Sequence, residues 1–267
     1  MHRREQTLSP QDAALVAGVS SFIAHTAFSP LEVYARKKFD LPKSKFDWNP
    51  ELKSRGIIAR NFKFARIFRM VFIGTVHFSV FETAKLLFSY KPHRDFPQWA
   101  ASNFVAGGIA GSFSTVLMSL PFVKFSNYTT SYNYHFGEID AVILKNITFA
   151  ASYFGMYYTA KYLLPREYQN NFTANLALAL CTTFSTFLIN WPVDSVLLER
   201  SNHKSVIIPD IATSVEKLRK RGFSAFFSSP FKLNVPSIMC HAFMLASFDY
   251  LKRVRLSWDN GINFLSI

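Results

Sequence analysis

The chain of 267 residues is poor in glycine, cysteine and acidic residues. It has 10 Gly and 2 Cys, and its 17 Asp and Glu stand against 30 Lys and Arg, for a net charge of +13. Cys181 and Cys240 both lie in apolar segments, which excludes a disulfide framework and gives no metal-ligand spacing. His77 and His241 also lie in apolar segments, where we expect interhelical hydrogen bonds rather than ligation.

Charged residues are missing from three long runs, each long enough to cross a bilayer as a helix: 13–31, 100–123 and 172–193. Shorter apolar runs alternate with them and end in charged segments: 70–81, 146–160 and 233–249. This alternation predicts an all-α membrane protein with six transmembrane helices. The mean hydropathy of only +0.11 indicates that some helix faces contact water or protein.

Each long run ends in a proline in a similar setting: Pro30 in FSPLEV, Pro121 in SLPFVK and Pro192 in NWPVDS. Each short run ends in an aromatic pentad: FETAK at 81–85, YYTAK at 157–161 and FDYLK at 248–252. Proline lacks a backbone donor, so the three prolines predict helix kinks. The recurrence favours three tandem helix pairs with pseudo-three-fold symmetry over a signal anchor at 13–31. The repeats then cover about 10–92, 97–165 and 170–256 of a single domain, 1–267.

The connections within the first and third pairs are long enough for an additional surface helix. Residues 209–221, PDIATSVEKLRKR, predict one, with Asp210 as N-cap, apolar residues at helical spacing and a basic end. The middle connection, about 124–141, has little room for such a helix.

The tripled helix pairs, the proline–acid segments and the [FY][DE]xx[KR] pentads resemble the mitochondrial carrier family, over about residues 10–256. GGIAG at 107–111 matches the small-residue packing motif of that family. The resemblance implies a multi-pass protein of the mitochondrial inner membrane, with both termini facing the intermembrane space and the surface helices on the matrix side. Lys and Arg are enriched in the connections within pairs, which agrees with the positive-inside rule.

By this resemblance, the pentads form a ring of ion pairs that closes one end of a central cavity. The expected contacts are Glu82 with Lys161, Asp249 with Lys85, and Lys252 with Tyr158, which stands in place of the third acid. The alternative is that these charges mark the lipid interface. The fixed spacing of acid and base, which places both on one helix face, favours the ring.

A second ring in the family follows the pattern of proline, an acid two residues later and a base five residues later. Repeats one and three keep the acid, Glu32 and Asp194, but have Ala35 and Leu197 in place of the base. Repeat two has Val123 and Ser126 in place of both residues. This second gate is therefore expected to lack an ionic lock.

The family's substrate contact lies thirteen residues before the pentad acid, at Arg69, Lys145 and Pro236 here. A base at bilayer depth usually serves a water-filled path or a partner acid. Arg69 is expected to hold a carboxylate or phosphate through two hydrogen bonds, with Lys145 as a second positive charge. The alternative is that both bases are vestiges bound to other protein groups or to lipid headgroups.

Two functions follow from these patterns. The incomplete rings favour a degenerate carrier that serves as an accessory or structural subunit of a larger membrane complex, for example a respiratory one. The two bases support the alternative, a functional carrier that exchanges a small anionic metabolite, carboxylate or nucleotide, by alternating access. No catalytic set, metal site or phosphate loop indicates an enzyme or a cofactor. The net charge predicts anionic phospholipid as a partner, with bound cardiolipin, and not nucleic acid.

Overall fold

A computed structural model describes residues 8–38, 56–88, 90–119, 139–201, 210–227 and 234–259. All regular structure in these ranges is helical. The α-helices are α1 (Pro10–Lys38), α2 (Gly56–Lys85), α3 (Phe96–Ser119), α4 (Ile139–Leu163), the short α5 (Arg166–Gln169), α6 (Phe172–Ser201), α7 (Ile211–Lys220) and α8 (Val235–Asp259). A 3₁₀ helix, Phe223–Phe227, follows α7.

Side chains at the helix starts fix where three of these helices begin. Ser9 Oγ accepts from the backbone N–H of Asp12 at 3.2 Å, and Asn171 Oδ1 accepts from that of Thr173 at 2.8 Å. Asp210 caps α7, as predicted, by accepting from a backbone N–H of its first turn. Such caps satisfy donors that have no partner within the helix.

Three helices extend further than the apolar runs indicated. α2 begins at Gly56, well before the apolar run 70–81, because the Arg and Lys residues between them are good helix formers. α6 continues past Pro192 to Ser201, and α1 continues past Pro30 to Lys38. Pro121 and the middle connection lie outside the described residues, as does the predicted surface helix of the first connection.

The six long helices pack in a closed ring that follows chain order. α1 packs on α2, α2 on α3, α3 on α4, α4 on α6, α6 on α8, and α8 returns to α1. Among the described helices, α3 and α4 pack together most extensively. The chain therefore forms a bundle whose first and last helices are neighbours.

In the described part of the chain, Phe96–Leu117 in α3 and Phe172–Leu197 in α6 are long and apolar enough to cross a membrane. They contain 22 and 26 residues. The run 13–31, predicted as a further span, lies within α1.

The bundle buries polar side chains and exposes apolar ones. Ser20, Asn103, Thr186 and Asn190 are no more than 1% exposed, whereas large apolar side chains on the same helices face outward: Phe22, Val105, Phe113, Phe184 and Ile189. Water-soluble bundles have the opposite arrangement. The outer surface of the bundle therefore suits a lipid environment.

Two glycines bring α3 and α4 into backbone contact, as the GGIAG motif predicts. A Cβ on Gly107 would overlap the backbone at Ala150, and one on Gly111 would overlap the backbone carbonyl of Asn146. At Gly18 in α1, by contrast, a Cβ would lie 3.5 Å from Thr75 Oγ1, an ordinary contact. Glycine is therefore required at 107 and 111 for close helix approach.

We expect Gly111→Ala to destabilise the bundle by about 1–3 kcal/mol, because the added methyl forces α3 and α4 apart. Gly18→Ala is the matched control and is expected to leave stability nearly unchanged. Thermal unfolding of the protein in detergent measures both. Equal effects of the two substitutions would contradict this account of the α3–α4 contact.

Candidate functional site

The pentads bring their charged residues into one layer at the ends of α2, α4 and α8. Lys252 Nζ lies 2.6 Å from Glu82 Oε2, and Lys161 Nζ lies 2.5 Å from Asp249 Oδ1. The first pair is buried, with side chains 8% and 0% exposed, and the second is nearly so, at 17% and 4%. Two ion pairs thus connect three helices that are distant in sequence.

The partners in this ring differ from the predicted ones. Glu82 pairs with Lys252 rather than Lys161, and Asp249 pairs with Lys161 rather than Lys85. Three residues turn a helix by 300°, so the acid and the base of one pentad lie on one face about 60° apart, and each is directed toward a different neighbouring helix. Which neighbour each one meets depends on the direction in which the chain runs around the ring, and the spacing does not reveal that direction.

At the third position of the ring, Lys85 contacts aromatic rings. Lys85 Nζ lies 4.7 Å from the centroid of the Tyr158 ring and 5.6 Å from that of Phe81. Tyr158 was predicted to face Lys252, so this contact is a further correction of the same kind. A cation over an aromatic face is attracted by the ring electrons. Lys85 of α2 therefore contacts α4 through the face of an aromatic ring.

An aromatic layer, defined here as Phe78, Phe81, Phe154, Tyr157 and Phe248, lies directly beneath the ring. All five side chains are at most 1% exposed, and they come from α2, α4 and α8. The rings of Phe81 and Phe154 stack with centroids 4.2 Å apart, and those of Phe78 and Phe248 lie 4.4 Å apart. The layer fills the space between the three helices at this end of the bundle.

Further charged contacts join α8 to its surroundings at the same end. Arg255 Nε donates to Asp12 Oδ1 of α1 at 2.8 Å, and Arg253 donates to the backbone carbonyl of Asn170. The hydrogen bond from Ser9 and the nearby Arg255 hold the pKa of the Asp12 carboxyl below its ordinary value. No sequence motif indicates these contacts, because their residues lie far apart in the chain.

The predicted substrate contacts are only partly described. Lys145 forms an ion pair with Asp194 of α6, with Lys145 Nζ 2.5 Å from Asp194 Oδ1. This agrees with the alternative in which Lys145 binds another protein group. Pro236 is buried in the first turn of α8. Arg69 lies in α2, but its side chain is outside the described residues.

The second predicted ring lies partly outside the described residues. Leu197 lies in α6, one helical turn after Asp194, whereas the side chains of Glu32 and Ala35 and all of Val123 and Ser126 lie outside the described residues. The acid of the third repeat, Asp194, therefore takes a base from α4. The sequence pattern singled out this acid but not its partner.

Neutral hydrogen bonds join neighbouring helices away from the ring. Ser114 Oγ of α3 lies 2.6 Å from His77 Nε2 of α2, which confirms the interhelical bond expected of His77. Asn146 Nδ2 of α4 donates to Thr115 Oγ1 of α3 at 2.7 Å. His241 Nδ1 lies 2.7 Å from the carbonyl oxygen of Ser237, within its own helix.

Metal ligands do not gather anywhere in the described ranges, where no three His, Cys, Asp or Glu side chains could hold one ion. The chemistry of the site is therefore that of ion pairs, hydrogen bonds and aromatic packing. Such a set of contacts can close and open a passage or bind a charged solute.

The ring, the polar interior and the apolar outer surface define a carrier-like helical protein. No protein-family profile matches the chain. The chain is similar to ADP/ATP translocase 4 of Homo sapiens, with 23% identity over 285 aligned positions that cover 89% of each protein. This distant similarity extends over nearly the whole chain and points to a carrier-like transporter rather than an enzyme.

Proposed function

We propose that the protein is a solute transporter of the mitochondrial inner membrane that moves a small metabolite bearing a carboxylate or phosphate group. The observation that carries the proposal is the ring of Glu82, Lys252, Lys161 and Asp249, in which one pentad from each repeat contacts the next. A lipid-facing charge would not need a buried partner on a distant helix.

In this proposal the six long helices are three helix pairs around a pseudo-three-fold axis, with repeats at about 10–92, 97–165 and 170–256. All six cross the membrane, and both termini face the intermembrane space. The distant similarity to a mitochondrial translocase supports this location. The closed ring of helices and the buried polar side chains support the axis as a solute path.

The ring acts as the gate on the side of the termini. Its two ion pairs and the aromatic layer close the bundle there, so solute enters from the opposite end. Lys145 lies near that opposite end, because sixteen residues of helix place it about 24 Å from Lys161. Arg69 and Lys145 are the proposed solute-binding bases. Alternating access requires the ring to open while contacts at the other end close.

Anionic phospholipid, including cardiolipin, is the proposed lipid partner of α7 and the segment after it. The end of α7 carries Lys217, Arg219 and Lys220, and Phe223 is 80% exposed just beyond it. Basic residues next to exposed aromatic residues favour the headgroup region of a bilayer with anionic lipids.

An accessory subunit of a larger membrane complex is the second candidate. It is favoured by Tyr158, which stands where the other two pentads have an acid, and by the engagement of Lys145 with Asp194. A pentad that has lost its acid and a base already paired with another side chain are both features expected of a carrier that no longer cycles. Transport measurements separate the two candidates.

We expect Arg69→Ala to reduce solute exchange by tenfold or more in proteoliposomes that contain the purified protein. The guanidinium can form two parallel hydrogen bonds to a carboxylate or phosphate, and alanine removes both. The assay follows uptake of labelled metabolites that bear such groups. Arg94→Ala serves as the matched control, because Arg94 is exposed in the turn before α3.

If Arg69→Ala exchanges solute as fast as the wild-type protein, Arg69 does not bind the solute. If no tested metabolite is exchanged and the native protein migrates in a large complex, the accessory-subunit function is favoured over the transporter function. A free 30 kDa species would contradict the subunit proposal.

A further inference from the structure

The ion pair between Lys145 and Asp194 is open to a solute, unlike the ion pairs of the ring. Its side chains are 39% and 18% exposed, whereas those of Lys252 and Glu82 are 8% and 0% exposed. Because over a third of the Lys145 side chain is exposed, this ion pair is screened more by water and contributes less to stability than the ion pairs of the ring. A charged ligand can therefore displace Asp194 from Lys145, or Lys145 from Asp194, with little loss of free energy.

Neutral polar groups lie next to this ion pair on the same two helices. Thr148 Oγ1 donates to Asn190 Oδ1 at 2.6 Å, and Asn190 Nδ2 donates to Ser152 Oγ at 3.3 Å. Asn190 is 1% exposed. We call Lys145, Thr148, Ser152, Asn190 and Asp194 the α4–α6 seam. It combines one positive charge, one negative charge and neutral hydrogen-bonding groups.

The balance of charge in the seam disfavours simple anions. A dicarboxylate or a nucleotide that bound Lys145 would leave the Asp194 carboxylate without its cation and beside a second anion. Like charges at such distances repel each other strongly. A simple cation bound to Asp194 would leave the Lys145 ammonium without its carboxylate and beside a second cation.

We propose that the α4–α6 seam binds a zwitterion, an α-amino acid with an uncharged side chain. Its carboxylate contacts Lys145 and its ammonium group contacts Asp194. One carbon separates the two charged groups of an α-amino acid, so both reach a lysine and an aspartate that are themselves in contact. One ion pair is then replaced by two charge-assisted ones, and no charge loses its partner. This inference rests on the proposed transport function and names its substrate class.

Exchange of labelled serine and labelled malate in proteoliposomes tests the proposal. We expect the wild-type protein to exchange serine and Asp194→Asn to lose serine exchange by about tenfold or more, the effect of removing one charge-assisted contact. Malate exchange is expected to rise in Asp194→Asn, because the repelling carboxylate is gone. Glu199→Gln is the matched control, since Glu199 lies on the same helix and pairs with Arg221 instead.

Binding can be measured without reconstitution. Serine is expected to raise the Tm of the detergent-solubilised wild-type protein, because a ligand that binds the folded state stabilises it. Malate is expected to have no such effect, and serine is expected to lose it in Asp194→Asn. If that variant does not fold, Lys145→Gln replaces it, with the same expected loss of serine binding.

Each remaining outcome overturns a different statement. Exchange of malate but not of serine by the wild-type protein would overturn the zwitterion and leave transport intact. Serine exchange that is unchanged in both Asp194→Asn and Lys145→Gln would place the amino-acid site elsewhere. Failure of serine to be exchanged or to raise the Tm, with no exchange of other metabolites, would overturn the transport function as well.

Discussion

Glu82→Gln is expected to lower the free energy of unfolding by about 3–5 kcal/mol, because it leaves the Lys252 ammonium buried without a counter-charge. The side chains of this pair are 0% and 8% exposed, so water cannot replace the lost carboxylate. Thermal unfolding in detergent measures the loss, which corresponds to roughly 10 °C for a chain of this size.

The control for this substitution is Glu216→Gln. Glu216 pairs with Lys220 at 2.9 Å, but their side chains are 63% and 74% exposed, so the loss should stay below about 1 kcal/mol. Exchanging the charges in Glu82→Lys with Lys252→Glu is expected to recover much of the stability. Similar losses for Glu82→Gln and Glu216→Gln would contradict the buried ion pair.

Phe154→Ala is expected to cost about 3 kcal/mol, at the lower end of the range for a buried phenylalanine. Phe154 stacks on Phe81 at 4.2 Å between centroids and meets the edge of Phe78 at 5.0 Å, so its removal leaves a cavity in the centre of the aromatic layer. The lower end applies because helices in lipid gain less from apolar burial than helices in water.

Phe113→Ala is the matched control for that prediction, because Phe113 is 49% exposed on the outer face of α3. We expect a change below about 0.5 kcal/mol there. Unfolding curves of the two variants in one detergent give the comparison. If Phe154→Ala is as stable as Phe113→Ala, the aromatic layer does not hold the ring end of the bundle together.

The two predictions bear on the proposed gate as well as on stability. Opening the ring would separate both ion pairs and expose the aromatic layer, so the closed arrangement is strongly favoured. A transporter must recover this free energy from contacts made in its other state. Glu82→Gln and Phe154→Ala should therefore shift the equilibrium toward opening on the side of the termini, in addition to weakening the fold.

Several local features could be predicted from particular residues. Asp210 begins α7 because its carboxylate accepts from a backbone N–H of the first turn, a purely local interaction. Gly107 and Gly111 predict a close helix contact because they lack a side chain, and α3 meets α4 there. Glu82 and Asp249 were expected in one layer from the matching pentads, and both take part in the ring.

The choice of partners was not predictable in the same way. Glu82 binds Lys252 instead of Lys161, and Asp194 binds Lys145 across two helices. Arg255 reaches Asp12 at the other end of the chain. Each of these contacts depends on which helices are neighbours and on how each is rotated about its axis. A pattern of spacings contains neither quantity.

The amino-acid sequence by itself determined the helices, their caps, the apolar lengths and the recurrence of proline and pentad, since each of these depends on residues within one or two turns. The tertiary structure alone decided the direction of the ring, the aromatic contact of Lys85 with Tyr158 and the neutral charge of the α4–α6 seam. The reason is geometric: a charged side chain interacts over a few ångströms, and only the packing of the helices brings distant residues within that range.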